Sequence, residues 1–146
     1  MTLRLAAVAP AAVLLAATLL GACDRRPAVT SCDDDLHGVW VTDTGARWAL
    51  LDHGATLEGY AVFDDAIPAG APRVIDLTRA VRFAGEVSRR FTRGADACVA
   101  KTPIRIAKCK ASTLQVVVAD PQPPLTYAPC TWGRPAASRV EHWRRD

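Results

Sequence analysis

After residue 35 the chain divides into short runs of alternating apolar and polar residues, separated by residues that favour turns. The clearest run spans residues 81–88. One face of this run holds Val81, Phe83 and Val87, and the other holds Arg82, Glu86 and Ser88. Because neighbouring side chains of a strand point to opposite sides, this period of two predicts a β-strand with one buried face. No convincing long helix is found here, so the sequence predicts an all-β domain.

The other runs of this kind predict further strands. They lie at residues 36–42, 46–52, 56–64, around Cys98, and at 104–109, 113–119, 125–130 and 139–144. In the third of them, Leu57, Ala61 and Phe63 share one face, whereas Tyr60 and Val62 lie on the other. Loops are predicted at 65–72 and 120–124, where proline is frequent. The first of these is the longest candidate recognition loop.

The number of strands and the short connections between them limit the architecture. About eight to ten short strands in sequence favour an antiparallel meander, and closing the meander removes the exposed edges of the sheet. A small antiparallel barrel is therefore the predicted fold. A β-sandwich is the alternative.

The first twenty residues have a different character. Arg4 is followed by a run of Ala, Leu and Val to Leu20, interrupted by Pro10 and Thr18. A short apolar run behind a positive charge is typical of a helical secretory signal peptide. The run is shorter than the roughly 20 residues that a spanning helix needs, so we expect residues 1–22 to be cleaved rather than to anchor the protein as a helix.

The residues that close this segment are Leu20, Gly21, Ala22 and Cys23. They resemble the lipobox of bacterial lipoproteins. The resemblance implies that Leu20, Gly21 and Ala22 are recognised by the signal peptidase, which cuts before Cys23. It also implies a diacylglycerol thioether on the Cys23 sulfur and an acylated amino group, with palmitate among the acyl chains. The expected location is the bacterial cell envelope, on a membrane and facing the periplasm, with the choice of inner or outer membrane open.

The remaining chain is of a size that suits one domain. The sequence predicts a lipidated N-terminus and short tether at 23–35, followed by one disulfide-bonded β domain at 36–146. If Cys32 is fixed to the domain, the tether from Asp24 to Ser31 reaches at most about 30 Å. Removal of Arg4 with the signal peptide lowers the formal net charge from +3 to +2. Such a charge does not suggest a nucleic-acid partner.

Four cysteines remain after Cys23: Cys32, Cys98, Cys109 and Cys130. An even set in an exported chain predicts two disulfides, for which three pairings exist. The favoured pairing joins Cys98 to Cys109 across a short loop and Cys32 to Cys130 between the ends of the domain. A zinc site is the alternative, but no C-x-x-C motif is present and the histidines lie far apart, so no metal is expected.

A second resemblance concerns the start of the β domain. Gly38-x-Trp40 beside a strand start is similar to the Gly-x-Trp of lipocalin-like barrels and of small barrel-type bacterial protease inhibitors. This resemblance implies a barrel more than it implies a function. Bulky residues such as Trp40, Trp48, Phe63 and Phe83 are expected to fill much of the interior.

Motifs for catalysis are missing from the sequence. It contains no Gly-x-Ser-x-Gly elbow, no His-Glu-x-x-His and no phosphate-binding loop. His37, His53 and His142 are interpreted as surface or turn residues. We therefore expect no catalytic residues, no cofactor and no enzymatic activity.

Three functions are compatible with these patterns. The first is a non-enzymatic envelope lipoprotein that has a binding or structural β domain and meets an envelope protein partner. The second is an inhibitor of a hydrolase, a protease or a lysozyme, which would use a loop or the N-terminal segment as a plug. The third is a carrier of a small molecule or lipid. A completely filled barrel interior would exclude the third.

Overall fold

The computed structural model describes residues 27–64, 70–93, 96–127 and 129–146. The predicted signal peptide, the lipobox and Cys23 lie outside the described residues. Eight strands form in the described part. They are β1 (Gly38–Thr42), β2 (Arg47–Asp52), β3 (Thr56–Val62), β4 (Pro72–Arg79), β5 (Phe83–Arg93), β6 (Asp96–Lys110), β7 (Thr113–Tyr127) and β8 (Cys130–Arg145).

The eight strands form a closed antiparallel barrel in chain order. Each strand pairs with the next, and β8 returns to β1, where Thr42 is paired with Trp143. The predicted all-β barrel is therefore confirmed, and the sandwich alternative is not. None of the described residues forms a helix that could span a membrane.

Three strand predictions are corrected by the structure. Strand β4 was not predicted, and β6 is one continuous strand where two were expected. The loop predicted at 120–124 lies inside β7, whose pairing with β8 shifts register between Asp120 and Leu125. Here β7 pairs with β8 alone, since its ladder with β6 ends at Val118. Prolines are tolerated at such an irregular, singly paired segment because their missing N–H groups need no ladder partner.

The inward faces of the strands pack into one hydrophobic core. Its largest fully buried side chains include Trp40, Leu50, Leu57, Phe83 and Leu114. The predicted faces of β3 are confirmed, since Leu57 is buried whereas Tyr60 and Val62 are exposed. Val81 is an exception: it is 93% exposed, because it lies in the turn before β5 begins.

The N-terminal segment, residues 27–37, closes one end of the barrel, which we call the base. Val29 and Leu36 are buried in the core. Ser112, in the turn between β6 and β7, accepts a hydrogen bond from the Val29 N–H at its side-chain oxygen and donates its own N–H to the Val29 carbonyl. A disulfide between Cys32 and Cys109 attaches the same segment to the end of β6.

All four remaining cysteines form disulfides, as predicted, but the predicted pairing is wrong. Cys32 pairs with Cys109, at a Cα–Cα distance of 5.0 Å, and Cys98 pairs with Cys130, at 5.6 Å. Cys98 and Cys109 both lie on β6. At about 3.3 Å per residue, their Cα atoms are roughly 30 Å or more apart, whereas a disulfide needs less than about 7 Å.

Trp40 anchors the N-terminal segment from inside the base. Its side chain is completely buried, and the indole N–H donates a hydrogen bond of 2.9 Å to the Leu36 carbonyl. The Arg145 guanidinium lies 5.1 Å from the centre of the Trp40 ring. Gly38, two residues earlier, has a φ of 142°, a conformation that side chains rarely adopt.

Trp40→Phe is expected to lower the free energy of unfolding by about 2–4 kcal/mol, because the smaller ring leaves a cavity in the core and the Leu36 carbonyl loses its donor. Urea unfolding of the two proteins measures the difference. Trp132→Phe is the matched control, since its buried indole N–H has no hydrogen-bond partner among the described residues. We expect the control to change stability by less than about 0.5 kcal/mol. Equal losses in both variants would contradict the anchoring role of Trp40.

Candidate functional site

The end of the barrel opposite the base contains a cavity of about 470 Å³, which we call the mouth cavity. Its rim includes the β1–β2 turn at Thr44, Gly45 and Ala46, together with Asp64 after β3 and Pro72 at the start of β4. The barrel is therefore filled and sealed at the base but hollow at the mouth.

The floor of the cavity is apolar. Trp48 on β2 and Trp143 on β8 are stacked, with ring centres 5.7 Å apart and planes within 7° of parallel. Val87, Ile104 and Val118 complete this floor from β5, β6 and β7. All five side chains are buried, so the stacked indoles form a flat apolar surface at the top of the core.

One wall of the cavity is charged. It is built by Arg89 on β5 and by Arg139 and Glu141 on β8. The register explains this position: Glu141 is paired with Val116 and Arg139 with Val118, and both valines point into the barrel. Paired residues of antiparallel strands share a face, so the charged residues also point inward. The charges thus form a layer directly above the apolar floor.

Arg139 neutralises two carboxylates of this wall. Its Nε lies 2.7 Å from Asp120 Oδ2, and its Nη1 lies 2.5 Å from Glu141 Oε1. The second Glu141 oxygen accepts a hydrogen bond of 2.6 Å from the Trp143 indole N–H. These contacts raise the pKa of Arg139, first through its hydrogen bond with Asp120. Both carboxylate oxygens of Glu141, which is only 6% exposed, therefore have a partner.

Arg89 has a different environment. Arg89 is only 4% exposed, and its Nη1 donates a hydrogen bond of 2.7 Å to the Thr102 hydroxyl. Burial lowers the pKa of Arg89 because desolvation disfavours its charged form, and the positive charge of Arg139 acts in the same direction. The carboxylates of Asp120 and Glu141 counteract this only in part. Among the described residues, no carboxylate lies within ion-pair distance of Arg89.

Two strand pairs extend past the mouth on the charged side. Strands β6 and β7 pair with each other only as far as Ile104 and Val118. Beyond this point the β5–β6 hairpin and the β7–β8 hairpin continue as separate strand pairs. The disulfide between Cys98 and Cys130 joins them. Their aromatic side chains also meet, since Phe91 contacts Trp132 edge-on at 5.1 Å between ring centres. The hairpins form a cross-linked wall above the mouth.

The site residues predicted from the sequence lie elsewhere. Leu20, Gly21, Ala22 and Cys23 are outside the described residues, as is most of the predicted recognition loop, at 65–69. His37, His53 and His142 do not line the mouth cavity. In the described ranges no cluster of three or more His, Cys, Asp or Glu side chains could hold a metal ion.

The charged wall was missed by sequence reasoning, although one signal was available. Arg89 follows Phe83 and Val87 at even spacing, so the same alternation that identified β5 places it on the buried face. A charged residue that continues a buried face is a candidate binding residue, because burying an unpaired charge lowers the stability of the fold.

Comparison of the chain with protein-family models, curated proteins and solved structures gives no match.

Proposed function

We propose that this protein is a membrane-anchored envelope lipoprotein whose non-enzymatic β-barrel binds a small apolar molecule in the mouth cavity. The observation that carries the proposal is the hollow end of an otherwise filled barrel. Its volume of about 470 Å³ falls within the roughly 300–1,000 Å³ typical of small-molecule pockets. An apolar floor with a few fixed polar groups is also the usual composition of such pockets.

The position of the tether supports this proposal. Val29 is packed into the base, so the stretch of chain between Cys23 and the barrel is shorter than the tether predicted to end at Ser31. The chain from Cys23 to Val29 spans at most about 21 Å when fully extended. A lipid on Cys23 would hold the base near the bilayer, and the mouth would face the periplasm. A ligand could then enter without crossing the membrane surface.

The inhibitor alternative has less support. Residues 27–37 would be part of an N-terminal plug, but Val29, Leu36 and the Cys32–Cys109 disulfide engage this segment in its own barrel. An inhibitor would have to use the mouth loops instead. Partner binding at those loops and ligand binding in the cavity would compete for the same end of the barrel.

Titration with N-phenyl-1-naphthylamine, a neutral apolar fluorophore, tests the proposal. We use the full chain with Cys23→Ser, which we expect to be released in soluble form. Ala61→Phe places a ring in the cavity beside Trp48, because Ala61 lines the cavity and is paired with Trp48. This variant is expected to weaken binding of the fluorophore at least about tenfold, equivalent to about 1.4 kcal/mol.

Tyr60→Phe is the control, since Tyr60 is the neighbouring residue of β3 and faces the outside of the barrel. It should leave the affinity unchanged. Saturable binding that Ala61→Phe does not weaken would place the fluorophore elsewhere, and no binding at all would remove support for the carrier function.

A further inference from the structure

The cations that line the mouth cavity are not equally paired. Arg47 at the rim contacts Asp146 at 2.9 Å and approaches Asp64 at 4.0 Å. Arg139 contacts Glu141 and Asp120, as described above. In the part of the chain that the structure describes, Arg89 is the cavity-lining cation without a carboxylate partner within 4.0 Å.

A buried guanidinium in this state can accept a further partner. Arginine has five N–H donors, and the hydrogen bond of Arg89 to Thr102 uses one of its nitrogens. The acceptor is a neutral hydroxyl, which does not compensate the positive charge. A buried charge without a direct partner is costly, so an anion in the cavity would give Arg89 the close ion pair that the described residues do not provide.

We propose that the ligand of the mouth cavity is an amphipathic monoanion, whose carboxylate pairs with Arg89 while its apolar body lies on Trp48 and Trp143. This inference rests on the proposed function and defines the chemical class of its ligand. Arg89 acts in it as the residue that selects the head group.

The neighbours of Arg89 explain why the head group carries a single charge. A planar guanidinium matches the two oxygens of a carboxylate through parallel hydrogen bonds. Asp120 and Glu141 act on Arg89 together with Arg139, whose single positive charge contacts them at 2.7 and 2.5 Å, so this group keeps one net negative charge beside Arg89. This negative charge would oppose a second charge on the ligand, so a carboxylate fits this wall better than a dianionic phosphate.

The floor explains why the ligand has an apolar body. The stacked indoles and the side chains of Val87, Ile104 and Val118 offer no charged group at the bottom of the cavity. The Trp143 N–H is already donated to Glu141, so the indole pair presents its apolar surface. An acyl chain or a compact ring system would remove this surface from water.

Three probes of equal length test the head group: decanoate, 1-decanol and decylamine. Each is titrated into the full chain carrying Cys23→Ser, with tryptophan fluorescence as the readout, because two of the four tryptophans form the floor. Decanoate is expected to bind at least about tenfold more tightly than 1-decanol, and decylamine more weakly than both. This comparison needs no variant at Arg89.

Arg89→Met then tests the residue itself, because it removes the charge and keeps an unbranched side chain. The preference for decanoate over 1-decanol should disappear. Arg90→Met is the matched control: Arg90 is the next residue of β5, is exposed, and does not line the cavity. It should keep the preference of the parent protein.

The outcomes separate this inference from the proposed function. Binding of 1-decanol as tightly as decanoate, or a preference for decanoate that survives Arg89→Met, would overturn the role of Arg89 and leave a neutral apolar carrier. Absence of binding by all three probes and by N-phenyl-1-naphthylamine would overturn both proposals.

Discussion

Cys23→Ser is expected to abolish labelling of the protein with palmitate and to move it from the membrane fraction to the soluble periplasmic fraction. Serine has no thiol to form the thioether that the lipobox resemblance assigns to Cys23. Acyl chains on Cys23 would each contribute about 0.8 kcal/mol per buried methylene to membrane binding, and the variant would lose this contribution. Metabolic labelling and membrane fractionation measure the two effects.

Asp24→Ser provides the control for this experiment, because it changes the adjacent residue and keeps the thiol. It should remain labelled and membrane-bound. Palmitate that is still incorporated in Cys23→Ser would contradict the lipoprotein assignment and would also remove the argument that the mouth faces away from a membrane.

Replacing both Cys32 and Cys109 with alanine is expected to lower the free energy of unfolding by about 4–5 kcal/mol. This value follows from the chain entropy released when a loop with a sequence separation of 77 residues is no longer closed. This disulfide also holds the N-terminal segment that closes the base. Without it, Val29 and Leu36 of that segment are expected to separate more easily from the core. Urea unfolding under non-reducing conditions gives the difference between the two proteins.

Cys98→Ala with Cys130→Ala is the matched comparison. Its sequence separation of 32 residues predicts a loss of about 4 kcal/mol, slightly less than for the first pair. This bond joins hairpins above the mouth, whereas the first closes the base. Peptide mapping under non-reducing conditions should give one cross-linked pair in each double variant. Equal stability of parent protein and Cys32→Ala/Cys109→Ala would contradict the structural role of that bond.

The barrel could be predicted because its determinants are local. The alternation in residues 56–64 and 81–88 depends only on which side of a strand each residue faces, and the turn residues lie beside the strands they connect. The missed β4 and the continuous β7 show where local signals fail. In β7 the prolines suggest a break, but pairing with β8 on one side keeps the segment extended.

The disulfide pairing and the site could not be predicted in the same way. Cys98 and Cys109 can form a disulfide with each other only if they lie on two strands that a turn connects. Both lie on the uninterrupted β6, so each must pair with another cysteine. The charged wall combines Arg89 with Glu141, residues that are far apart in sequence and meet only because the sheet closes. Sequence spacing alone does not reveal that Arg139, and not Arg89, takes the available carboxylates.

Residues 145–146 contact the N-terminal segment and β1 at the base, and this has a consequence for how an exported chain would fold. Arg145 donates hydrogen bonds to the carbonyls of Pro27, Asp35 and His37, and the Asp146 N–H binds the Val39 carbonyl. A chain that emerges from a membrane with its amino end first must wait for these last residues before the sheet can close. In a chain exported as proposed, β1 would present an unpaired edge until then and would be exposed to proteases and to aggregation. Completion of export, rather than lipid attachment, would thus be the step that commits the protein to its native state.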